Sequence, residues 1–354
     1  MRALRYRGRH DLRLEDVTPA QLGPGDIRLA VESAGVCGTD VRIAKGEHGA
    51  YTDADGRIPG HEIVGRVVEV GPGAALARGE GLVFVAPNIG CGVCTHCRAG
   101  NENLCPWTEG LGITLDGAFA ESLVVPARAV ERGHLIALAN VSPDAAVLIE
   151  PLACVLRGQG KVDVHRGDRV LICGGGPVGL LHVALARARG ADLVVCSEPS
   201  STRRAAARRA GADVVVDPTH DDLASALLAA TDGRGADVVV TAAPVHALQA
   251  QALELAAVAG RVLLFGGLPK NQPMVELDTN LIHYKELLVA GTTASTLGDC
   301  REAATVVAEG KIELESLVSH RYGLEEAVAE IASAEDRTAL KVVINPSTRR
   351  KASS

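Results

Sequence analysis

Aromatic side chains are scarce in this chain: three Phe, four Tyr and one Trp supply 2% of its 354 residues. Base-stacking platforms, aromatic cages and the interfacial belts of membrane proteins all start from more of them. No apolar run reaches the roughly 18 residues of a membrane-crossing helix, so no span and no membrane partner are expected. Basic residues are in deficit, 36 Lys and Arg against 43 Asp and Glu, for a formal charge of −7. General nucleic-acid binding needs concentrated basic surface to displace counterions, so no nucleic-acid partner is expected. The opening Met1–His10 has arginines but no apolar stretch behind them. A secretory signal is therefore not expected, and Leu12, Leu14 and Val17 are read as the opening strand of a domain. There is no internal repeat.

What remains is ordinary for a soluble enzyme, with 47% hydrophobic and 22% charged residues. The length exceeds the roughly 250–300 residues at which one core stops growing, so two cores are expected. Of nine cysteines, four crowd into the fifteen positions Cys91–Cys105. In a large chain with no signal, that crowding favours metal ligation over disulfides and a reducing cytoplasm as the compartment.

Three stretches differ in character. Residues 1–150 hold short β-type runs between Gly and Pro, such as Ile27–Val31, Ile63–Val70, Leu82–Val85 and Leu123–Val125. They read as a small, irregular β domain, with a cysteine lobe at about 88–108. Residues 151–291 alternate strand and helix. Strands are predicted at Arg169–Cys173, Leu193–Ser197, Val214–Val216, Val238–Thr241, Arg261–Phe265 and Leu287–Ala290. Helical segments such as Leu180–Arg189 and Arg203–Ala210 lie between them. Continuous apolar strands joined by helices imply a parallel sheet covered on both faces, a doubly wound α/β Rossmann domain. Residues 292–354 show helical periodicity at Arg301–Ala308 and Leu324–Ala332, then a strand at Leu340–Ile344. Too short for a third domain, this segment is expected to pack on the N-terminal part, and the polar Ser347–Ser354 to fray.

The predicted strand Arg169–Cys173 runs into Gly174-Gly175-Gly176-Pro177-Val178-Gly179, and a helix follows. This is G-x-G-x-x-G in its required strand–turn–helix setting. Gly174 permits the turn, Gly176 lets a pyrophosphate approach the backbone, and Gly179 allows close helix–strand packing. Free N–H groups at the helix start favour phosphate. Glu198 follows the second strand, where an acidic side chain holds the adenosine ribose hydroxyls and repels a 2′-phosphate. NAD is thus favoured over NADP, although Arg203 and Arg204 stand close by in the chain.

Cys91, Cys94, Cys97 and Cys105 form C-x2-C-x2-C-x7-C. Four thiolates can close a tetrahedral shell around Zn²⁺ with no open position, which marks a structural site. Bacterial ferredoxins place three residues, not seven, before their last Cys, which argues against an iron–sulfur run. His96 is surplus to a four-sulfur shell. A second, scattered set comprises Cys37-Gly38-Thr39-Asp40, Gly60-His61-Glu62 and Glu150-Pro151. It offers a thiolate, an imidazole and carboxylates, an open donor set suited to catalytic zinc.

Taken in order, Gly-Val-Cys-Gly-Thr-Asp (35–40), Gly-His-Glu-x-x-Gly (60–65), the four-Cys lobe, Glu-Pro-Leu-Ala (150–153) and the glycine loop (174–179) resemble the zinc-containing medium-chain dehydrogenase/reductase family. The likeness runs over nearly the whole chain. Glu-Pro-Leu is similar to the sorbitol and threonine dehydrogenase branches rather than to ethanol dehydrogenases, which carry a Cys near that position. The resemblance implies a GroES-like catalytic domain built from both chain ends and two zinc ions per chain, one catalytic and one structural. It implies Cys37, His61, Glu62 and Glu150 as the catalytic zinc set, and Thr39 as acceptor of the substrate proton. The family often has a His three positions beyond that hydroxyl; here it is Arg42, which cannot serve as a base at neutral pH. The expected activity is NAD-linked oxidation of a polyol, cyclitol, aminocyclitol or amino-alcohol, by a homo-oligomer (dimer or tetramer). A zinc-free enone or quinone reductase of the same fold would not need Cys37, His61 and Glu150. A non-catalytic NAD-binding protein would not need two metal sites.

Overall fold

The computed structural model describes residues 1–52, 56–74, 81–333 and 339–347. The chain divides into two units, Met1–Ala153 with Ala294–Ser354, and Cys154–Thr293. Of the tail expected to fray, only Ser347 lies within the described residues.

In the central unit, apolar runs become buried strands because both of their faces are covered. Val170, Leu171 and Ile172, and likewise Val238, Val239 and Val240, have no exposed surface. Six parallel strands lie in the order Val214–Val216, Leu193–Ser197, Arg169–Cys173, Ala236–Thr241, Ala256–Leu264 and Leu288–Gly291. In chain order this is 3-2-1-4-5-6, the doubly wound arrangement whose switch point lies between Arg169–Cys173 and Ala236–Thr241. The fifth strand begins five residues before its predicted start at Arg261, since small Ala256 pairs with Ala236 across an irregular register. Helix starts follow local chemistry: Pro177 stands in the first turn of Pro177–Ala188, and the Asp222 side chain accepts from the Ser225 N–H.

The other unit is built on alternation. In the strand Ile27–Val36, Ile27, Leu29 and Val31 are fully buried while Arg28, Ala30 and Glu32 are only half-buried. Its sheet runs Val318–Tyr322, Lys341–Ile344, Ile27–Val36, Glu62–Val70, Leu82–Val85 and Leu135–Ala137, with Ser122–Val125 also paired to Ile27–Val36. The strand Lys341–Ile344 pairs antiparallel with Ile27–Val36, so both chain ends share one sheet. Helix Leu324–Ser333 sends Leu324, Ala327 and Ile331 into the same core. The first strand is Arg2–Gly8, hairpinned to Asp11–Asp16, and not the Leu12–Val17 segment alone. There Leu4 and Tyr6 are buried between half-buried or exposed Arg5 and Arg7, and the arginine face hides the strand signal. Among the described residues, no helix is long and apolar enough to cross a membrane.

His182 is fully buried on helix Pro177–Ala188. Its ring meets Phe265 edge-on at 4.6 Å, and the Gln159 side-chain amide donates to its backbone carbonyl at 2.8 Å. Burial pushes its pKa down to about 3. The folded imidazole stays neutral while the unfolded one protonates below about 6.5. Its contribution to stability is therefore complete above that pH and shrinks as pH falls toward 3. We expect His182→Leu to resist acid better than the parent, by about 1.4 kcal/mol at pH 5.5 relative to pH 7. Denaturant midpoints of both proteins at the two pH values check this; equal shifts would refute it.

Candidate functional site

The cofactor loop forms where the first parallel strand ends at Cys173. Gly174 has φ +110°, a conformation that L side chains rarely adopt, and its N–H donates to the Ser197 carbonyl at 2.8 Å. A Cβ on Gly179 would lie 1.8 Å from the Gly174 carbonyl oxygen, so only glycine lets the helix sit this close. Gly176 caps the helix, Pro177 and Val178 form its first turn, and a Cβ on Gly176 would meet only Arg203, at 3.9 Å. That open approach to helix N–H groups fits a pyrophosphate. Glu198 is buried, and its carboxylate accepts from the N–H groups of Gly175 at 2.7 Å and Ser200 at 2.9 Å. The acidic side chain is thereby locked against the glycine loop. Arg204 is engaged elsewhere, with Asp217 at 2.8 Å and the carbonyls of Glu198 and Pro199.

The four-cysteine lobe folds around its own sulfurs. Cys91, Cys94, Cys97 and Cys105 have Sγ atoms within 4.8 Å of one another, and none is in a disulfide. The Cys91–Cys97 separation of 3.9 Å matches the edge of a tetrahedron with Zn–S bonds of about 2.3 Å, which is about 3.8 Å. Backbone N–H groups point at the sulfurs: Val93 and Cys94 at Cys91, Cys97 at Cys94, and Cys91 and Trp107 at Cys105, all at 3.4–3.5 Å. The Val93 and Cys94 N–H groups lower the Cys91 thiol to about 6, while burial raises Cys97 to about 12. Such a cluster shares out its protons until a cation lets all four sulfurs ionise. Arg132 clips the lobe by donating to the carbonyls of Gly90 and Cys91. His96 is exposed. The donor set fits a structural zinc.

The scattered set is brought together by the sheet. Cys37 ends the strand Ile27–Val36 and opens the short helix Gly38–Ala44, while His61 and Glu62 enter the neighbouring strand. Donor atoms of Cys37, His61 and Glu62 lie within 4.8 Å of one another. Asp40, 1% exposed, accepts from the Cys37 N–H at 2.8 Å and faces His61 Nδ1 at 3.5 Å, so it orients both. One Glu62 oxygen is buried without a hydrogen-bond partner among the described residues, while the other pairs with Lys341, and His61 Nδ1 faces Asp40. Burial works against charge on His61, but Asp40 and Cys37 outweigh it and hold the imidazole well above its ordinary range. This buried, only partly satisfied donor set and its negative field fit a divalent cation. Glu150 is buried at the start of helix Ile149–Lys161, but it does not join the group. Thr39 lies in the first turn after Cys37, and its Oγ1 accepts from the Arg42 guanidinium at 3.2 Å.

Lys341 is a residue that the sequence reading passed over. It begins the C-terminal strand, is 3% exposed, forms an ion pair with Glu62, and donates to the Val36 carbonyl at 3.0 Å. Burial lowers its pKa, and Glu62, Cys37 and Asp40 more than restore it, so it remains a cation. The signal was a lone lysine in an apolar run. Gly35 makes room for the pair: a Cβ there would lie 1.7 Å from a Glu62 oxygen and 2.8 Å from the Lys341 side chain.

Comparison with known proteins agrees with this architecture. Residues 23–134 match the alcohol dehydrogenase GroES-like domain, and residues 177–309 match the zinc-binding dehydrogenase domain. The chain is 36% identical over 316 residues to L-threonine 3-dehydrogenase of Pyrococcus furiosus, covering 87% of each. It is 29% identical to sorbitol dehydrogenase of Halalkalibacterium halodurans, covering 92% of each. A zinc-binding dehydrogenase of Sinorhizobium meliloti 1021, solved bound to NADP, superposes with a TM-score of 0.89 at 34% identity, covering 98% of this chain and 99% of that one. The GroES-like sheet with its cysteine lobe, the Rossmann unit and these relatives together identify the chain as a member of the zinc-dependent medium-chain alcohol and polyol dehydrogenase family, enzymes that work with NAD or NADP.

Proposed function

We propose that this chain oxidises a secondary alcohol of a polar, hydroxyl-rich substrate with NAD, at a zinc ion held by Cys37, His61 and Glu62. One observation carries the reading: donors of Cys37, His61 and Glu62 converge, and one buried Glu62 oxygen has no partner among the described residues. Three protein ligands and an open fourth position suit a catalytic zinc. Zinc at such a site supplies Lewis-acid stabilisation of the alkoxide, lowering the pKa of a bound hydroxyl. Glu150, outside the tight group, acts at longer range through water. Thr39 relays the substrate proton, passing its own hydroxyl proton to water as it accepts one, and Asp40 keeps Cys37 and His61 in position. Cys91, Cys94, Cys97 and Cys105 hold the structural zinc. Threonine and sorbitol, the alcohols in the names of two relatives, are both small and polar, which supports a polar substrate here.

NAD is preferred because the Glu198 carboxylate, anchored by two N–H groups, occupies the place where a 2′-phosphate would bring like charge. The proposed cofactor contacts are Gly174, Gly176, Pro177, Val178, Gly179, Glu198 and Arg203. A homo-oligomer in the cytoplasm completes the proposal. The edge strand Leu288–Gly291 exposes Leu288, and Tyr284 and Val258 near it are 77% and 76% exposed, an unusual apolar margin for an unpaired sheet edge.

Cys37→Ser should abolish NAD reduction on polyols and amino-alcohols and cut bound zinc from two to one per chain, with little change in melting temperature. Cys94→Ser should instead lower melting temperature, because its zinc only closes a loop. Metal analysis and calorimetry check both; a Cys37→Ser protein that retains two zinc ions would sink the ligand assignment. Glu198→Ala should shift the ratio of kcat/KM for NAD over NADP toward NADP by at least about tenfold, equivalent to about 1.4 kcal/mol. An unchanged ratio would remove Glu198 from cofactor selection. Sedimentation of the cytosolic fraction should show a dimer or larger; a monomer there overturns the assembly.

A further inference from the structure

Arg42 stands one helical turn beyond Thr39 on helix Gly38–Ala44. Asp40 and Ile43, also three apart, are buried on that helix, so Thr39 and Arg42 share a different face. The Arg42 side chain folds back over the first turn, and its guanidinium donates to Thr39 Oγ1 at 3.2 Å although the residue is exposed. A long, rotamer-rich side chain gives up conformational entropy to be held this way. A guanidinium only donates, so it cannot carry a proton onward from Thr39. It takes one hydroxyl lone pair and leaves the others of its five N–H groups unused.

Among the described residues, no carboxylate forms an ion pair with Arg42. Another cation of this region, Lys341, is buried and committed to Glu62 and the Val36 carbonyl. Asp40 is likewise committed, to the Cys37 N–H and His61. Among the described residues the planar fork is thus a positive group beside Thr39 with hydrogen-bonding capacity to spare. Its geometry suits two oxygens of a carboxylate or phosphate, which it binds bidentately.

Resting on the dehydrogenase reading above, we propose that Arg42 is a specificity residue that selects an alcohol carrying an anionic group, carboxylate or phosphate, close to the carbinol carbon. The anion meets the fork while the neighbouring hydroxyl faces Thr39. The position at which the family resemblance implies a relay base thus becomes a substrate anchor.

Calorimetry on the zinc-loaded full chain with NADH, titrated with D-gluconate, D-glucitol 6-phosphate and D-glucitol, tests this and separates carboxylate from phosphate. At least one anion should bind about tenfold or more tighter than D-glucitol, as a charge-assisted bidentate pair would give. Arg42→Gln should collapse that ratio toward one. Arg42→Lys, which keeps the charge but loses the fork, should retain part of it. No anion preference in the parent protein, or the same preference in Arg42→Gln, overturns the proposal. Anion preference lost in Arg42→Gln, with no NAD reduction by any alcohol, would support the anchor and defeat the dehydrogenase reading instead.

Discussion

Glu62 and Lys341 meet where neither can reach water, and the proposed catalytic site is arranged around that fact. Each charge alone would cost several kcal/mol to bury, and removing one partner of such a pair costs about 3–5 kcal/mol. The pair forms only because the C-terminal strand Lys341–Ile344 lies against Ile27–Val36, which in turn lies against Glu62–Val70. Gly35 sits opposite Glu62 in that register and has no side chain to block it. The register that sets the sheet therefore also sets where the carboxylate points. Asp40, Cys37 and His61 add further negative or polar groups, and one lysine does not satisfy them all. That unsatisfied remainder is the basis on which a cation is proposed there.

The two candidate metal sites are built on opposite principles. In the cysteine lobe, ligands, backbone N–H donors and the short helix Thr95–Arg98 come from one segment, and Arg132 closes it from outside. Such a site shapes its own loop, and its closed shell leaves no room for chemistry. In the other, the donors are held on the ends of sheet strands and a helix turn, while the loop itself contributes little. Its three donors are set by rigid elements: Cys37 follows one strand, and His61 and Glu62 open its neighbour.

The cofactor loop shows a third way of using backbone. Its glycines bring strand, loop and helix close, and Glu198 is tied to the loop through the Gly175 N–H. Arg42 and Arg204 illustrate how context decides what an arginine does. Arg204 is consumed by Asp217 and two carbonyls, while Arg42 keeps most of its donors. Equal charge in the sequence becomes structural glue in one place and binding capacity in the other.

Much could be read from the residues alone wherever the chemistry is local. The four-cysteine spacing, the strand–glycine–helix loop with Glu198, and the six alternating strands each need only neighbours within some 30 residues, and periodicity or spacing records them directly. Strand ends were less legible: Arg2–Gly8 was hidden by its arginine face, and Ala256 by its small side chain. The cation pairing Glu62 could not be read, because Lys341 is 279 positions away and only the antiparallel register brings it there. Nor could sequence separate Glu62 from Glu150, since both are buried acids in matching motifs and only distance sorts them. Sequence by itself determined which elements and donor types exist. Tertiary structure decided which of those donors converge, because strand register and burial, not order along the chain, set the distances and the charge balance at the site.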